Sequence, residues 1–275
     1  GDIAADVKNL NLRMNGDLTA DSTLLVTKLT ADTLNFWSEG FQYAHNMTVD
    51  IDADINADLN SERYAFANNQ MKLNAVPFAL NGWVQLIDSG YNMDLTLDAS
   101  KVDFKSILSL VPAIYAKSFD QLKAEGKVTM SGFIKGKMVG EDYPAFDLNL
   151  AVANAWFQYP GLPKSVKDIQ LTSRLTNPGG SLDKTVIDFS KLSFNLGGNP
   201  FAAQVHIVTP LTDPDLTMKA NGKIDLGMIK EVYPLEKETT LNGVLTMDVN
   251  MAGKMSYFEN NLFERYQFGG TVNVR

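Results

Sequence analysis

The chain passes through the same order of residues twice, and a repeat restricts the fold more than any local signal because each copy must build the same unit. PFALNGWVQLIDSGYNMDLTLDASKVDFKSIL starts at Pro77, and LKAEGKVTMSGFIKGKM closes the block at Met138. From Pro200 the order returns as PFAAQVHIVTPLTDPDLTMKANGKIDLGMIK, then LNGVLTMDVNMAGKM, which closes at Met255. The offset is 200 − 77 = 123 at the Pro-Phe-Ala entry and 253 − 136 = 117 at Gly-Lys-Met, the slow drift that duplication followed by loop trimming leaves. Upstream, Phe41-Gln42-Tyr43 is answered by Phe157-Gln158-Tyr159, and MKLN before Pro77 by LSFN before Pro200. The unit is therefore about 120 residues long. A first copy is expected over 1–138 and a second, truncated one over 139–275, continuous as one elongated domain, since no linker composition separates them.

Within the unit the period is two. In VDIDADINADLN, Ile51, Ala53, Ile55, Ala57 and Leu59 fall on one face of a strand, and Asp50, Asp52, Asp54, Asn56 and Asp58 on the other. The same alternation recurs in Leu10, Leu12, Met14; in Tyr91, Met93, Leu95, Leu97; in Phe146, Leu148, Leu150, Val152; and in Leu245, Met247, Val249, Met251. Strands with one wet face imply antiparallel meanders. Turn signals divide them, among them Asn15-Gly16-Asp17, Asp88-Ser89-Gly90, Asn177-Pro178-Gly179-Gly180, Gly197-Gly198 and Asp213-Pro214. The expected architecture is all-β and mostly antiparallel: a long curved or rolled repeat sheet forming an apolar groove, with a few short helices.

Two of those helices recur with the unit. Asp103 is placed to cap DFKSILSLVPAIYA, which Pro112 would kink or end, and Asp225 to cap LGMIKEVYP before Pro234. Helices this short are marginal alone, so they are expected to plug or cross the apolar face.

Composition removes several functions. A formal charge of −8 and a pI near 4.8 argue against a nucleic-acid partner and give no support to docking on anionic headgroups. With no cysteine there are no disulfides, thiolate nucleophiles or Cys-based zinc sites. No apolar run of about 18 residues occurs, so no transmembrane segment is expected here. There is no signal peptide, and both ends stop in mid-strand pattern, so the chain reads as a piece of a longer protein whose anchor or targeting signal lies outside it.

No catalytic constellation assembles. Only His45 and His206 are available; His206 alternates with Val205 and Ile207 on a wet strand face, and His45 follows an aromatic loop. Asp50, Asp52 and Asp54 imitate the opening of a calcium loop, but the sixth position is Ile55 rather than Gly and the twelfth is Ser61 rather than Glu. Gly132 to Met138 is one residue short of a phosphate loop and lacks its Ser/Thr, so it reads as a bulge or strand-end device. No carboxylate pair is singled out for glycosidase chemistry. The expectation is a protein that is not an enzyme and uses no cofactor and no metal.

Several of these features together resemble the AsmA family of Gram-negative bacteria, in particular its AsmA-like C-terminal repeat region. They are the strand entry from Asn74 to Phe78, with Asn199-Pro200-Phe201 in the second copy, the Asp-Leu-Thr strands at Asp94 and Asp215, and the Asp-headed helix ending near Tyr-Pro. The segment from Ala155 to Ile169 and the Gly-Lys-Met closures complete the set. The motifs are structural rather than catalytic, cover essentially the whole chain, and lack the family's N-terminal membrane helix. The resemblance implies a periplasmic protein tethered to the inner membrane through a segment absent from this chain. It also implies an apolar-lined groove similar to those of bridge-like lipid-transfer proteins, and a part in outer-membrane assembly and phospholipid transport between the two membranes. Phospholipid or another acyl-chain ligand is then the implied partner, with envelope proteins as further partners.

From the residues themselves, an apolar face built from repeats must be covered or must bind something apolar. Methionine suits an adaptable surface for mobile acyl chains. The lipid-facing candidates are Met93, Leu95, Leu97, Met130, Met218, Leu245, Met247 and Met251. The alternative reading gives the same residues to a closed structural core that engages partner proteins at its sheet edges.

Overall fold

The alternation resolves into antiparallel strands in a computed structural model, which describes residues 3–16, 19, 22–38, 41–110, 122–235 and 239–275. Contacts divide the chain into two units, Gly1–Asp120 with Met130–Ala145, and Gln121–Thr129 with Phe146–Arg275. The division passes within a strand and at Ala145, whereas the motif order repeats from residue 139. Strand neighbours are mostly chain neighbours, so the hairpins form an antiparallel meander.

Unit 1 contains β1 (Ile3–Lys8), β2 (Asn11–Asn15), β3 (Ser22–Ser38), β4 (Phe41–Asp58), β5 (Arg63–Leu73), β6 (Val76–Ile87), β7 (Gly90–Asp103) and α1 (Phe104–Leu108). It also takes the second half of β8 (Lys123–Val139). β1 and β2 share one edge of β3: Val7 lies opposite Leu34, and Leu12 opposite Leu29. Unit 2 takes the first half of β8, then β9 (Ala145–Gln158), β10 (Val166–Asn177), β11 (Val186–Leu196), β12 (Asn199–Val208), β13 (Asp215–Asp225), α2 (Ile229–Val232), β14 (Val244–Lys254), α3 (Met255–Glu259) and β15 (Gln267–Val274).

Turn chemistry sets the hairpins. Asp88-Ser89 joins β6 to β7, and Gly197-Gly198 joins β11 to β12 with φ of 59° and 86°. Two positive φ values give a turn whose twist matches that of the flanking strands. The equivalent turn in the first copy, Asn74-Ala75, places Asn74 at φ 52°, so the duplication persists in the backbone. Asp17 of the expected Asn15-Gly16-Asp17 turn lies outside the described residues.

Register shifts bend the strands. In unit 1 one falls between Ala67 and Gln70 on β5, opposite Asp54 and Asp52 of β4; in unit 2 they fall beyond Val152 on β9, beyond Val166 on β10 and between Phe189 and Leu192 on β11. Each extra residue bends its strand and strengthens the local twist, which curves a sheet. The expected all-β antiparallel class, with a curved sheet and few short helices, is the one observed.

Several local expectations change. Asp103 has the extended backbone of an N-cap but makes no side-chain cap hydrogen bond, and α1 makes only one turn over Phe104–Leu108. The rest of that expected helix, with Val111 and Pro112, lies outside the described residues. Asp225 does cap: its carboxylate accepts from Gly227 N at 3.0 Å, opening a 3-10 turn over Leu226–Met228 that leads into α2. The aromatic loop expected before His45 is instead the start of β4.

Both helices lie over strand ends. Asn74 Nδ2 donates to the Ser109 carbonyl at 3.1 Å, holding the residue after α1 against the β5–β6 turn. In unit 2 the same role is taken by Met228, whose side chain touches the β11–β12 turn so closely that a Cβ on Gly197 would meet its sulfur at 2.2 Å. α2 then reaches the β9–β10 connection: Lys164 N donates to Glu231 O at 3.1 Å, and Tyr159 meets Tyr233 edge-on at 5.5 Å. Running from β13 to the end of β9, the segment closes one end of the unit 2 sheet.

Candidate apolar face

Cross-strand register fixes which side chains share a face, because directly opposed residues point the same way. In unit 1, Leu25 lies opposite Ile55, Ile55 opposite Phe66, and Phe66 opposite Gly82, which is opposite Leu95. A second row runs Leu29, Ile51, Met71, Phe78. Met93 is opposite Val84, and Leu97 opposite Leu80. Met130 falls on β8 in the half-buried alternate that also holds Gly132 and Ile134. Of these candidates Leu95 is the most enclosed at 9 % exposure, where it packs beside Gly82.

In unit 2 the rows are longer. Leu148, Leu175, Ile187, Ile207, Leu216 and Gly253 are successively opposed from β9 to β14. Met218 stands directly opposite Met251, Met247 opposite Gly222, and Leu245 opposite Ile224, so the structure brings all four unit 2 candidates onto one face. Around them Ala203, Ala220 and Val249 form a buried cluster with Leu192, Phe201 and Met247 packed against it. The candidate set omitted the aromatic part of this face: Phe189 is opposite Val205, and Phe194 stacks on Phe201 with centroids 5.0 Å apart. It also omitted the margins, where Leu12 and Met14 on β2 and Phe268, Val272 and Val274 on β15 are exposed. The alternation that marked the chosen residues marks these too.

What is buried shows how the face is covered. In a two-layer sandwich the long apolar side chains of the inner faces are the most enclosed residues. Here alanines (Ala31, Ala53, Ala57, Ala99, Ala155, Ala203, Ala220) are prominent in the core, and among the described residues Leu122, Val76 and Val128 are the large side chains below 2 % exposure. Met93, Leu97, Met130, Met218, Leu245, Met247 and Met251 are half-buried. Short side chains vanish between longer neighbours on the same face, while the tips of the longer ones still meet water. Among the described residues no second sheet packs over these rows.

The opposite face is polar and laced across strands. Asp50 lies opposite Lys72, and Asp52 opposite Lys28. Lys135 Nζ meets Asp94 at 2.7 Å, Arg63 stacks over Trp83 at 4.2 Å, and Arg174 Nε donates to Asp147 Oδ1 at 3.0 Å. That pairing holds the Asp147 carboxyl below the ordinary carboxylate range. His206 is exposed and bonds Asp188 across the strand pair at 2.6 Å, and His45 is exposed beside Gln42 and Asn46. Asp50, Asp52 and Asp54 stand along β4, with Asp54 accepting from Asn68 at 3.0 Å. Gly132 to Met138 lies inside β8. Among the described residues no three His, Cys, Asp or Glu side chains cluster as a metal site, and no helix is long and apolar enough to cross a membrane.

No family model, curated protein or solved structure matches the chain.

Proposed function

We propose that this chain is a non-catalytic lipid-handling module, whose apolar face shields phospholipid acyl chains in transit between the inner and outer membranes of a Gram-negative envelope. On this reading it is an AsmA-like periplasmic protein, tethered to the inner membrane by a segment outside this chain and acting in outer-membrane assembly. One observation carries the reading: opposed rows of Leu, Met, Phe and Val span many strands and stay half-exposed. Leaving that much apolar surface in water costs about 25 cal/mol per Å² against burial, a loss that an apolar occupant recovers. Met218 and Met251, paired across β13 and β14, supply side chains that adapt to a mobile chain.

A transfer assay tests it. The protein should accelerate movement of a fluorescent phospholipid from donor to acceptor liposomes. Met247→Lys, which sets a charge within the face, should slow that transfer about tenfold, corresponding to about 1.4 kcal/mol, with an unchanged circular dichroism spectrum. Transfer no faster than without protein refutes the reading.

A second reading, strand addition by a protein partner, draws on β15. Gln267–Val274 carries no charged residue and no proline, the usual guards of an exposed edge. It predicts partner binding that Val272→Lys abolishes and Met247→Lys leaves intact.

A further inference from the structure

On the polar face of unit 2, β9 and β10 each carry an extra residue. The register passes from Val152 to Ala155 on β9 and from Val166 to Ile169 on β10, so each strand advances three residues where its partner advances two. At these steps Asn154 adopts φ 52° and Asp168 φ 54°, the left-handed region that Asn and Asp enter more readily than other residues with a Cβ. Two such residues in adjacent strands frame one concavity of ≈ 520 Å³, open to solvent, which is within the size range of small-ligand sites.

The lining is chemically mixed. Trp156 is half-buried, and its indole N–H donates to Glu125 Oε2 at 3.3 Å, which orients the ring. Gln158 is anchored by donating to the Leu162 carbonyl at 2.8 Å. The side chains of Asn154, Ser165, Lys167 and Asp168 make no hydrogen bond or ion pair to any described residue. An aromatic plate thus sits among an amide, a hydroxyl, an ammonium and a carboxylate, all free to pair with a ligand.

We propose that this concavity is a carbohydrate site that takes a neutral pyranose disaccharide unit. A pyranose has an apolar C–H face to lay on the indole and a rim of hydroxyls that both donate and accept, which matches unpaired groups of both kinds. A phosphorylated ligand would meet the Asp168 carboxylate, which offsets the Lys167 ammonium beside it. An acyl chain would leave the polar groups unpaired, at a desolvation cost. The site lies on the face opposite the apolar rows and does not depend on their function.

Saturation-transfer NMR on the full chain tests this with maltose, cellobiose, lactose and N,N′-diacetylchitobiose. At least one should receive saturation, strongest at its ring C–H protons. Trp156→Ala should weaken binding about tenfold or more and Trp156→Phe less, since the smaller ring keeps a stacking plate. Asp168→Asn should alter which sugar is preferred while preserving the fold. The proposal is overturned if no sugar receives saturation from the wild type, or if a folded Trp156→Ala variant binds as the wild type does. Phospholipid transfer by Trp156→Ala should match the wild type, so the two functions fail or stand separately.

Discussion

A Cβ at Gly126 would stand 2.4 Å from the Ala155 Cβ, and its φ of +141° lies where other residues are strained. β8 and β9 therefore approach at a point that only glycine allows. Gly126→Ala should destabilise by about 1–3 kcal/mol and lower the thermal midpoint by several degrees. Gly140→Ala has nothing within 4 Å and should lose less, since only its φ of +58° opposes the change. Asp213 ties the β12–β13 loop to α3, its carboxylate accepting from Ser256 N at 3.0 Å and Ser256 Oγ at 2.9 Å. The Ser256 amide bond is the main cause of its depressed pKa. A depressed carboxylate stabilises above its unfolded pKa, and that contribution fades as pH falls through the lower folded value. The protection factor of the Ser256 amide should therefore be flat from neutral pH to about pH 4 and decline below it. Asp213→Asn should show the loosened state at neutral pH, read by hydrogen exchange.

Strands were legible in the sequence because a half-wet strand writes its geometry as alternation: Met247 and Met251, or Met93 and Leu97, fall on one face by parity alone. Bulges were not, since one extra residue shows only as a break in phase, as at Ala153-Asn154 or Lys167-Asp168, and reads equally as a strand end. The polar concavity between β9 and β10 was hidden for that reason. Helix extent was lost differently. Asp103 and Asp225 are both followed by apolar residues, yet only Asp225 bonds back to the turn it precedes. What holds α2 is tertiary, as expected of a helix too short to persist alone. Tyr159 is 4 % exposed beneath Tyr233, and burial is the first cause of its raised pKa. Tyr159→Ala should cost about 3 kcal/mol in thermal unfolding and release the α2 amides to faster exchange. Little change in either would mean that α2 is held from elsewhere.

Across the molecule, polarity is divided between faces rather than between inside and outside. Charges cross-link the strands on one face, as Arg174 does with Asp147 and Lys135 with Asp94, while the other stays apolar yet half-exposed. The net charge of −8 favours solubility and keeps copies apart, which an exposed apolar face requires. Native mass spectrometry of protein purified from a Gram-negative host without detergent would show whether that face binds lipid. Additional peaks displaced by phospholipid masses are expected, and they should decline when Leu245→Lys and Met247→Lys are combined. A protein that repeatedly arrives at its bare polypeptide mass, or a double variant that carries as much lipid as the wild type, would contradict lipid binding at that face.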